Sequence, residues 1–587
     1  MFGNCGKNLI KNSLLLILSM LLPTLGISNS AMAAAQIHAA YSALDISIPI
    51  NVLENYAQHG FVNTNFAQYY QYIPTNILQE LRKILIQPVK ISPAVVSEFL
   101  DTQQGKFILK RLTELIQTKS DSPASESQNL RTALISAAAE PEGLNLLNLL
   151  RKYPQNSISI DVVSGWRIAR ELEQMISATQ KAIATLTQAS NLEAALEAAT
   201  ISLENLSKLP QQPNFPIQKQ TLKLFDSLRN RHLSTDIYIP NTQNSAPIIV
   251  ISHGLGLNSS NFRYLGKYLA NYGFAVVIPN HPSSYQEKVK SLINSNQVIQ
   301  AHEFKDRPLD IKYILDQLAS DSQFQKRLNF QQVGVFGQSL GGYTALALAG
   351  AKINFQQLKK DCDLDKLRNT WNMSLLLQCR ALELPNQSEK EYNLQDKRVK
   401  AAIAVNPITS SIFGQVGLSQ IHTPIMIIGS SEDTVAPALY EQILPFSWLT
   451  YPHKYLVMLL GATHFSTIGN SNPESTQISL PKDMVGDASQ ARRYMNALSL
   501  PFFQTYVAKN PEYISYLNAA YFQSISSQSL GLNLVQSFDH IKLAPVLDDH
   551  CHKNRPRKKK LSHIIVRFGF WILGIGISLL HLLIFSS

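Results

Sequence analysis

The sequence predicts an α/β protein with a mostly parallel central sheet, preceded by a mainly helical N-terminal region. Three observations predict it. Beyond about residue 216, short runs that are apolar at nearly every position alternate with stretches of helical spacing. Those runs lack the in–out alternation of a half-exposed sheet, so both of their faces must be covered, as in a parallel sheet flanked by helices. One of the runs leads directly into a glycine-framed serine and then into a further helical stretch.

Taken in order, residues 1–35 have the layout of a secretory signal: Lys7 and Lys11, an apolar stretch from Leu14 to Ile27, and small residues through Ala31-Met-Ala33 and Ala35. From Gln36 to about Pro210 the pattern is mostly helical. Ser92-Pro93 reads as an N-cap and first helical position, and Glu171–Leu206 repeats apolar residues every three or four positions. Ser120–Gln128, with Pro123 and several serines, reads as a loop. This region, 36–210, shows no repeat and no catalytic constellation, and is expected to be a structural or lid-like domain. Pro210 to Pro216 is the expected linker.

The expected strands then follow at Ser234–Ile239, Pro247–Ser252, Ala275–Pro279, Val333–Phe336, Val399–Val405, Pro424–Ile428 and Tyr455–Leu460. Phe262–Asn271, Pro308–Leu318 and Leu340–Ala349 read as helices between them. Residues 211–550 are thus expected to form the catalytic domain. The stretch 351–397 is expected to be an insert placed to cover the site. Cys362 and Cys379 in that insert are a candidate disulfide if the domain is exported, closing a loop worth about 3 kcal/mol. Residues 551–587 hold the basic run Arg555-Pro-Arg-Lys-Lys-Lys560 and the apolar segment Ile564–Phe585. The clean part of that segment, Phe568–Phe585, would span about 27 Å as a helix. The expected location is therefore the periplasmic or lumenal side, with anchorage to a membrane by the C-terminal helix.

The net charge of +11 comes from the ends. Nine of the 52 Lys and Arg residues lie within 1–35 and 553–587, which contain no Asp or Glu; the remaining 43 nearly balance 41 acidic residues. No basic groove for nucleic acid is implied. No Cys/His cluster has zinc spacing, and neither a metal nor a cofactor is expected.

The chemistry rests on Val333-Gly-Val-Phe-Gly337-Gln-Ser339-Leu-Gly341-Gly342. A serine between strand and helix is forced into a sharp turn, and Gly337 and Gly341 remove side chains that would collide there. Ser339 needs a base, and the base needs an orienting carboxylate. In the α/β-hydrolase fold, to which this elbow points, the chain order is Ser, acid, His. Asp433 follows the run ending at Ile428, and His464 follows the run ending at Leu460, both at the C-terminal edge where such sheets bind ligands. Glu432 is the alternative acid, placed second because Asp433 lies nearer to Val435-Ala-Pro437. His422 and His453 precede their strands and read as surface residues. The oxyanion donors are expected to be the amides of Leu340 and of Leu255 in Ser252-His-Gly-Leu-Gly256, with His253 holding that turn.

From about Ile248 to His464 the chain resembles the platelet-activating-factor acetylhydrolase group of α/β-hydrolases. The residues that carry the resemblance are Ser252-His-Gly-Leu-Gly256, Leu269-Ala-Asn-Tyr-Gly-Phe-Ala275 and Gly337-Gln-Ser-Leu-Gly-Gly342. The body also resembles a cyanobacterial family of predicted hydrolases with an uncharacterised helical N-terminal domain, through Ala139-Glu-Pro-Glu-Gly143 and Leu375–Leu382. The acetylhydrolases are expected to carry their acid after the strand that follows the nucleophile. Here that strand ends in Asn406-Pro407, so the acid is expected one strand further on, at Asp433.

These observations predict a serine carboxylic ester hydrolase acting on a lipid or other hydrophobic ester. An acyltransferase or peptidase on the same scaffold is the second reading. A membrane-tethered binding protein that kept a dead hydrolase fold is the third, and the complete Ser, Asp, His set argues against it.

Overall fold

The computed structural model describes residues 34–538 apart from 42–43, 61–78, scattered positions up to 122, 199–213, 283–300, scattered positions within 364–391, and 470–486. The expected signal, basic run and C-terminal apolar segment lie outside the described residues, as does most of the linker. Among the described residues no helix is long and apolar enough to cross a membrane.

The chain divides into two compact units. The first holds strands β1 (Gln36–Tyr41), β2 (Leu44–Pro49), β3 (Ile116–Gln117) and β4 (Ser157–Asp161) in the order β2-β1-β4-β3. Strand β1 pairs antiparallel with β2 but parallel with β4. Helix α1 (Ile50–His59) follows β2 and stops at Gly60, whose left-handed φ of 72° lets its amide return to Tyr56 O. Helices thus share this unit with a four-stranded sheet that the sequence reading does not anticipate. The helix expected at Ser92-Pro93 is present as α2 (Pro93–Asp101), which begins in this unit.

The expected loop at Ser120–Gln128 is corrected: α3 runs from Pro123 to Ala138. Proline suits a first helical turn because no intrahelical N–H is needed there. Glu126, buried in that turn, accepts from Tyr153 Oη at 2.7 Å, which ties it behind α4 (Leu146–Arg151).

The second unit is built on nine strands: β5 (Ile217–Asp226), β6 (Arg231–Pro240), β7 (Ala246–Ser252), β8 (Ala275–Asn280), β9 (Leu328–Gln338), β10 (Val399–Val405), β11 (Ile425–Ser430), β12 (Lys454–Leu460) and β13 (Gly531–Val535). Their order is β13-β12-β11-β10-β9-β7-β8-β6-β5. The six strands from β12 to β8 are mutually parallel, and antiparallel pairings occur only at the flanks. This is the α/β arrangement the apolar runs predict. Edge strands β5 and β13 escape the sequence reading; β5 alternates exposed Lys and Gln with half-buried residues.

The parallel strands separate two cores by their period of two. Ile248, Val250, Val335, Ala402, Ala404 and Ile427 face one core. That core also takes in residues of α5 (Val162–Ala198), α7 (Glu303–Ser320) and α8 (Leu340–Ala349), while α6 (Arg263–Asn271) lies on the opposite face. Ile249, Ile251, Phe336, Ile403, Val405 and Ile428 face the other core, with α6 and α11 (Ala488–Tyr506). Each core strand buries both sides, which is why its central positions are apolar and polar residues such as Ser252, Gln338 and Ser430 come at its C-terminal end.

From Arg167 onward α5 belongs to this second unit, well ahead of the linker expected near residue 210. Ala178, Ala182, Ile183 and Leu186 enter the core. Beyond them Ser190 Oγ accepts from Leu534 N at 3.0 Å, and Asn533 Nδ2 donates to Thr187 Oγ1 at 2.7 Å. The helix thereby covers edge strand β13.

Within the insert, α9 (Phe355–Asp361) and α10 (Met373–Cys379) are joined by a disulfide between Cys362 and Cys379. The buried Glu441 carboxylate accepts from Asn372 Nδ2 and Gln378 Nε2 of the insert. It also accepts from the amides of Thr409 and Ser410 after β10. The insert is therefore pinned to loops at the C-terminal edge of the sheet.

Candidate active site

The parallel register brings the ends of five strands together. Ser252 of β7 is level with Gly337 of β9, Gln338 with Val405 of β10, Val405 with Ile428 of β11, and Ser430 of β11 with Leu459 of β12. Ser339, Asn406, Asp433 and His464 all lie just past those ends.

Ser339 sits between β9 and α8 with φ 57° and ψ −119°, a left-handed backbone that a serine adopts only where its surroundings impose it. Its amide donates to Val405 O at 2.8 Å, and its carbonyl accepts the amide of Tyr343 at 3.0 Å. The flanking glycines are required by contact. A Cβ on Gly337 would meet Gly341 O at 1.9 Å, and one on Gly341 would meet Ser252 O at 2.0 Å.

His464 Nδ1 lies 2.7 Å from Asp433 Oδ2. An ionised carboxylate only accepts, so Nδ1 carries the proton and Nε2 keeps its lone pair for a base's work. The other oxygen, Asp433 Oδ1, accepts from the amides of Val435 at 2.9 Å and Ala436 at 2.7 Å, which fixes the carboxylate plane. Both side chains are buried, at 6% and 3% exposure. Glu432 is exposed, and so are His422 and His453. His453 only packs its ring against Tyr451 and Tyr506.

The His464 loop is joined to the serine elbow through backbone. Gln338 Nε2, from the residue before the serine, donates to His464 O at 3.2 Å, and Asn406 Nδ2 donates to the same oxygen at 3.3 Å. No hydrogen bond joins Ser339 Oγ to His464, whose Nδ1 is held by Asp433. Sequence reasoning treated Asn406 only as a missing acid and did not find Gln338. The one signal for both was their place at the ends of neighbouring strands.

The turn after β7 lies against the serine. A Cβ on Gly254 would come 2.3 Å from Gln338 Oε1 and 3.3 Å from the Ser339 Cβ. Among the described residues, the amides of Leu255 and Leu340 donate to no other protein group. Both expected oxyanion donors are therefore unspent. His253 is fully buried behind the turn, and its Nδ1 donates to Gly254 O at 2.7 Å.

Among the described residues, His302, Glu303 and Asp306 form the one His/Asp/Glu group close enough to share a cation. Cations of the protein already occupy it: Arg231 pairs with both carboxylates, and Arg307 pairs with Glu303.

Two comparisons with known families bear on this arrangement. Residues 33–161 match a family described as an alpha/beta hydrolase of unknown function (DUF1400), a stretch that lies outside the nine-stranded sheet. Residues 247–358 match the alpha/beta hydrolase fold family, which spans β7 through α8 and includes Ser339 but neither Asp433 nor His464. No curated protein matches the chain. The sheet order, the strained serine at its elbow and the second match agree: the larger unit has the α/β-hydrolase fold, and both matched families support a hydrolase.

Proposed function

We propose that this chain is a serine carboxylic ester hydrolase for a lipid or other hydrophobic ester. Ser339 Oγ attacks the acyl carbon while His464 Nε2 takes its proton, and Asp433 holds the imidazole and stabilises its cation. The tetrahedral oxyanion accepts from the amides of Leu255 and Leu340. Collapse expels the alcohol, protonated by His464. A water activated by the same imidazole then cleaves the acyl-enzyme and regenerates the serine.

The observation that carries the reading is the 2.7 Å contact between His464 and Asp433. Its histidine loop is bonded to Gln338, the residue before a serine held at φ 57°. A cavity of about 460 Å³ lies between α5, the insert and the loops after β10 and β11. Trp371, Leu375, Tyr440 and Trp448 line it together with the polar Glu171, Asp361, Lys366 and Asn372, and Ser339 does not, so it is not taken as the acyl site. The resemblance to the platelet-activating-factor acetylhydrolase group also favours ester chemistry. Export with anchorage through Ile564–Phe585 belongs to the same proposal, and the Cys362–Cys379 bridge favours an oxidising compartment.

Labelling with a fluorophosphonate tests the nucleophile: covalent label on Ser339, lost in Ser339→Ala, is the expected result. A folded protein that takes no label would overturn the proposal. Rates with p-nitrophenyl esters of increasing acyl length then define the substrate class, with a preference beyond acetyl expected.

A further inference from the structure

A second Ser–His–Asp chain lies beside the candidate site and is sealed from solvent. Ser252 Oγ is 3.1 Å from His281 Nε2, and His281 Nδ1 is 3.1 Å from Asp310 Oδ2. None of the three residues is more than 1% exposed. No ester reaches a hydroxyl so enclosed, so the arrangement needs a different explanation.

Its protons can be assigned from its partners. Asp310 Oδ1 accepts from Arg229 Nη1 at 2.8 Å and Arg231 Nε at 2.9 Å, and Oδ2 from Arg231 Nη2 at 2.8 Å. A carboxylate whose two oxygens both accept from arginines serves here as an acceptor, so His281 Nδ1–H donates to it and Nε2 accepts Ser252 Oγ–H. The His281 amide then donates to His253 Nε2 at 3.3 Å, which leaves the His253 proton on Nδ1, bonded to Gly254 O at 2.7 Å. From α7, Arg307 Nη1 donates to His253 O at 2.7 Å, while its Nε is held by Glu303 at 3.2 Å. Burial above all keeps both histidines well below their ordinary value, and hence neutral.

Four of these bonds end on Ser252, His253 or Gly254, the three residues that lead into Leu255. We propose that His281 and Asp310, acting through Ser252 and His253, are positioning residues that aim the Leu255 amide at the developing oxyanion. The inference rests on the reading of Leu255 as an oxyanion donor. It gives the buried chain a role in the transition state and none in proton transfer to substrate.

The experiment compares an oxo-ester with its thiono analogue in the wild-type protein, Ser252→Ala and His281→Asn. Sulfur is a larger and weaker acceptor, so donors set for oxygen favour the oxo-ester. A displaced Leu255 amide should lower kcat for the oxo-ester about 5- to 50-fold with KM little changed. The thiono rate should fall much less, so the oxo-over-thiono preference shrinks. Equal loss on both substrates, or an unchanged preference in Ser252→Ala, would overturn the proposal. If His281→Asn does not fold, Ser252→Ala, which removes one hydroxyl, still decides. Failure of the esterase reading itself would look different: wild type would then take no fluorophosphonate label at Ser339.

Discussion

Asn406 Nδ2 donates to the His464 carbonyl at 3.3 Å from the position where the resembled acetylhydrolases are expected to carry their acid. The side chain at the end of β10 thus holds the histidine by its backbone, and the carboxylate reaches the ring from the end of β11. Replacing Asn406 with Leu should lower kcat about tenfold with little change in KM, because the imidazole loses orientation while the pocket stays intact. Steady-state kinetics on a short p-nitrophenyl ester would check it; an unchanged kcat would remove Asn406 from the site.

Asp433→Asn should lower turnover by about 10⁴, the scale seen when a triad histidine loses its tautomer-setting carboxylate. Glu432→Gln should leave turnover within about twofold, since Glu432 is exposed. The opposite pattern would transfer the acid's role to Glu432.

Ser339 holds φ 57° at a cost of about 1–3 kcal/mol. Ser339→Gly relieves that strain, so it should abolish turnover and yet raise stability by about 1–2 kcal/mol, read as a higher urea midpoint. A lower midpoint would mean that the serine side chain contributes more to packing than its backbone costs.

Gly341→Ala places a methyl group 2.0 Å from Ser252 O, a backbone atom at the base of the oxyanion turn. The variant should lose about 3 kcal/mol or more, or fail to fold. Gly461→Ala makes a useful contrast. Its φ of 86° strains an alanine, but the nearest foreign atom is 3.7 Å away. A cost of about 1 kcal/mol is expected there.

Acid should destabilise the larger unit through His253 and His281. Burial, and then neighbouring positive charge, sets their folded values below the ordinary value near 6.5. Above about pH 6.5 both rings are neutral in the folded and unfolded states, and this contribution is at its plateau. Below it the unfolded chain takes up protons that the folded chain refuses. Stability therefore falls as pH drops, by up to about 1.4 kcal/mol per pH unit for each proton. Urea midpoints at pH 7.5, 6.0 and 5.0 would show it; a midpoint that rises on acidification contradicts the assignment.

The strands, their parallel class and the elbow at Ser339 were legible because they are written locally. Short apolar runs that alternate with stretches of helical spacing fit doubly covered strands, and Gly-Gln-Ser-Leu-Gly between strand and helix favours one sharp turn. The acid and base were legible at one remove, through their place after strand ends and the chain order of the fold. The first unit's sheet was not, because β1 and β4 pair across more than a hundred residues and β3 has only two. Nor was the partner of α5, since an amphipathic stripe shows that a helix is buried but not against what. Only folding decided that Asn406 and Gln338 share one carbonyl, and that Arg229, Arg231, His253, His281, Arg307 and Asp310 form one buried network. Hydrogen bonds and ion pairs depend on ångström-scale approach between dispersed residues, and nothing in their sequence spacing encodes that approach.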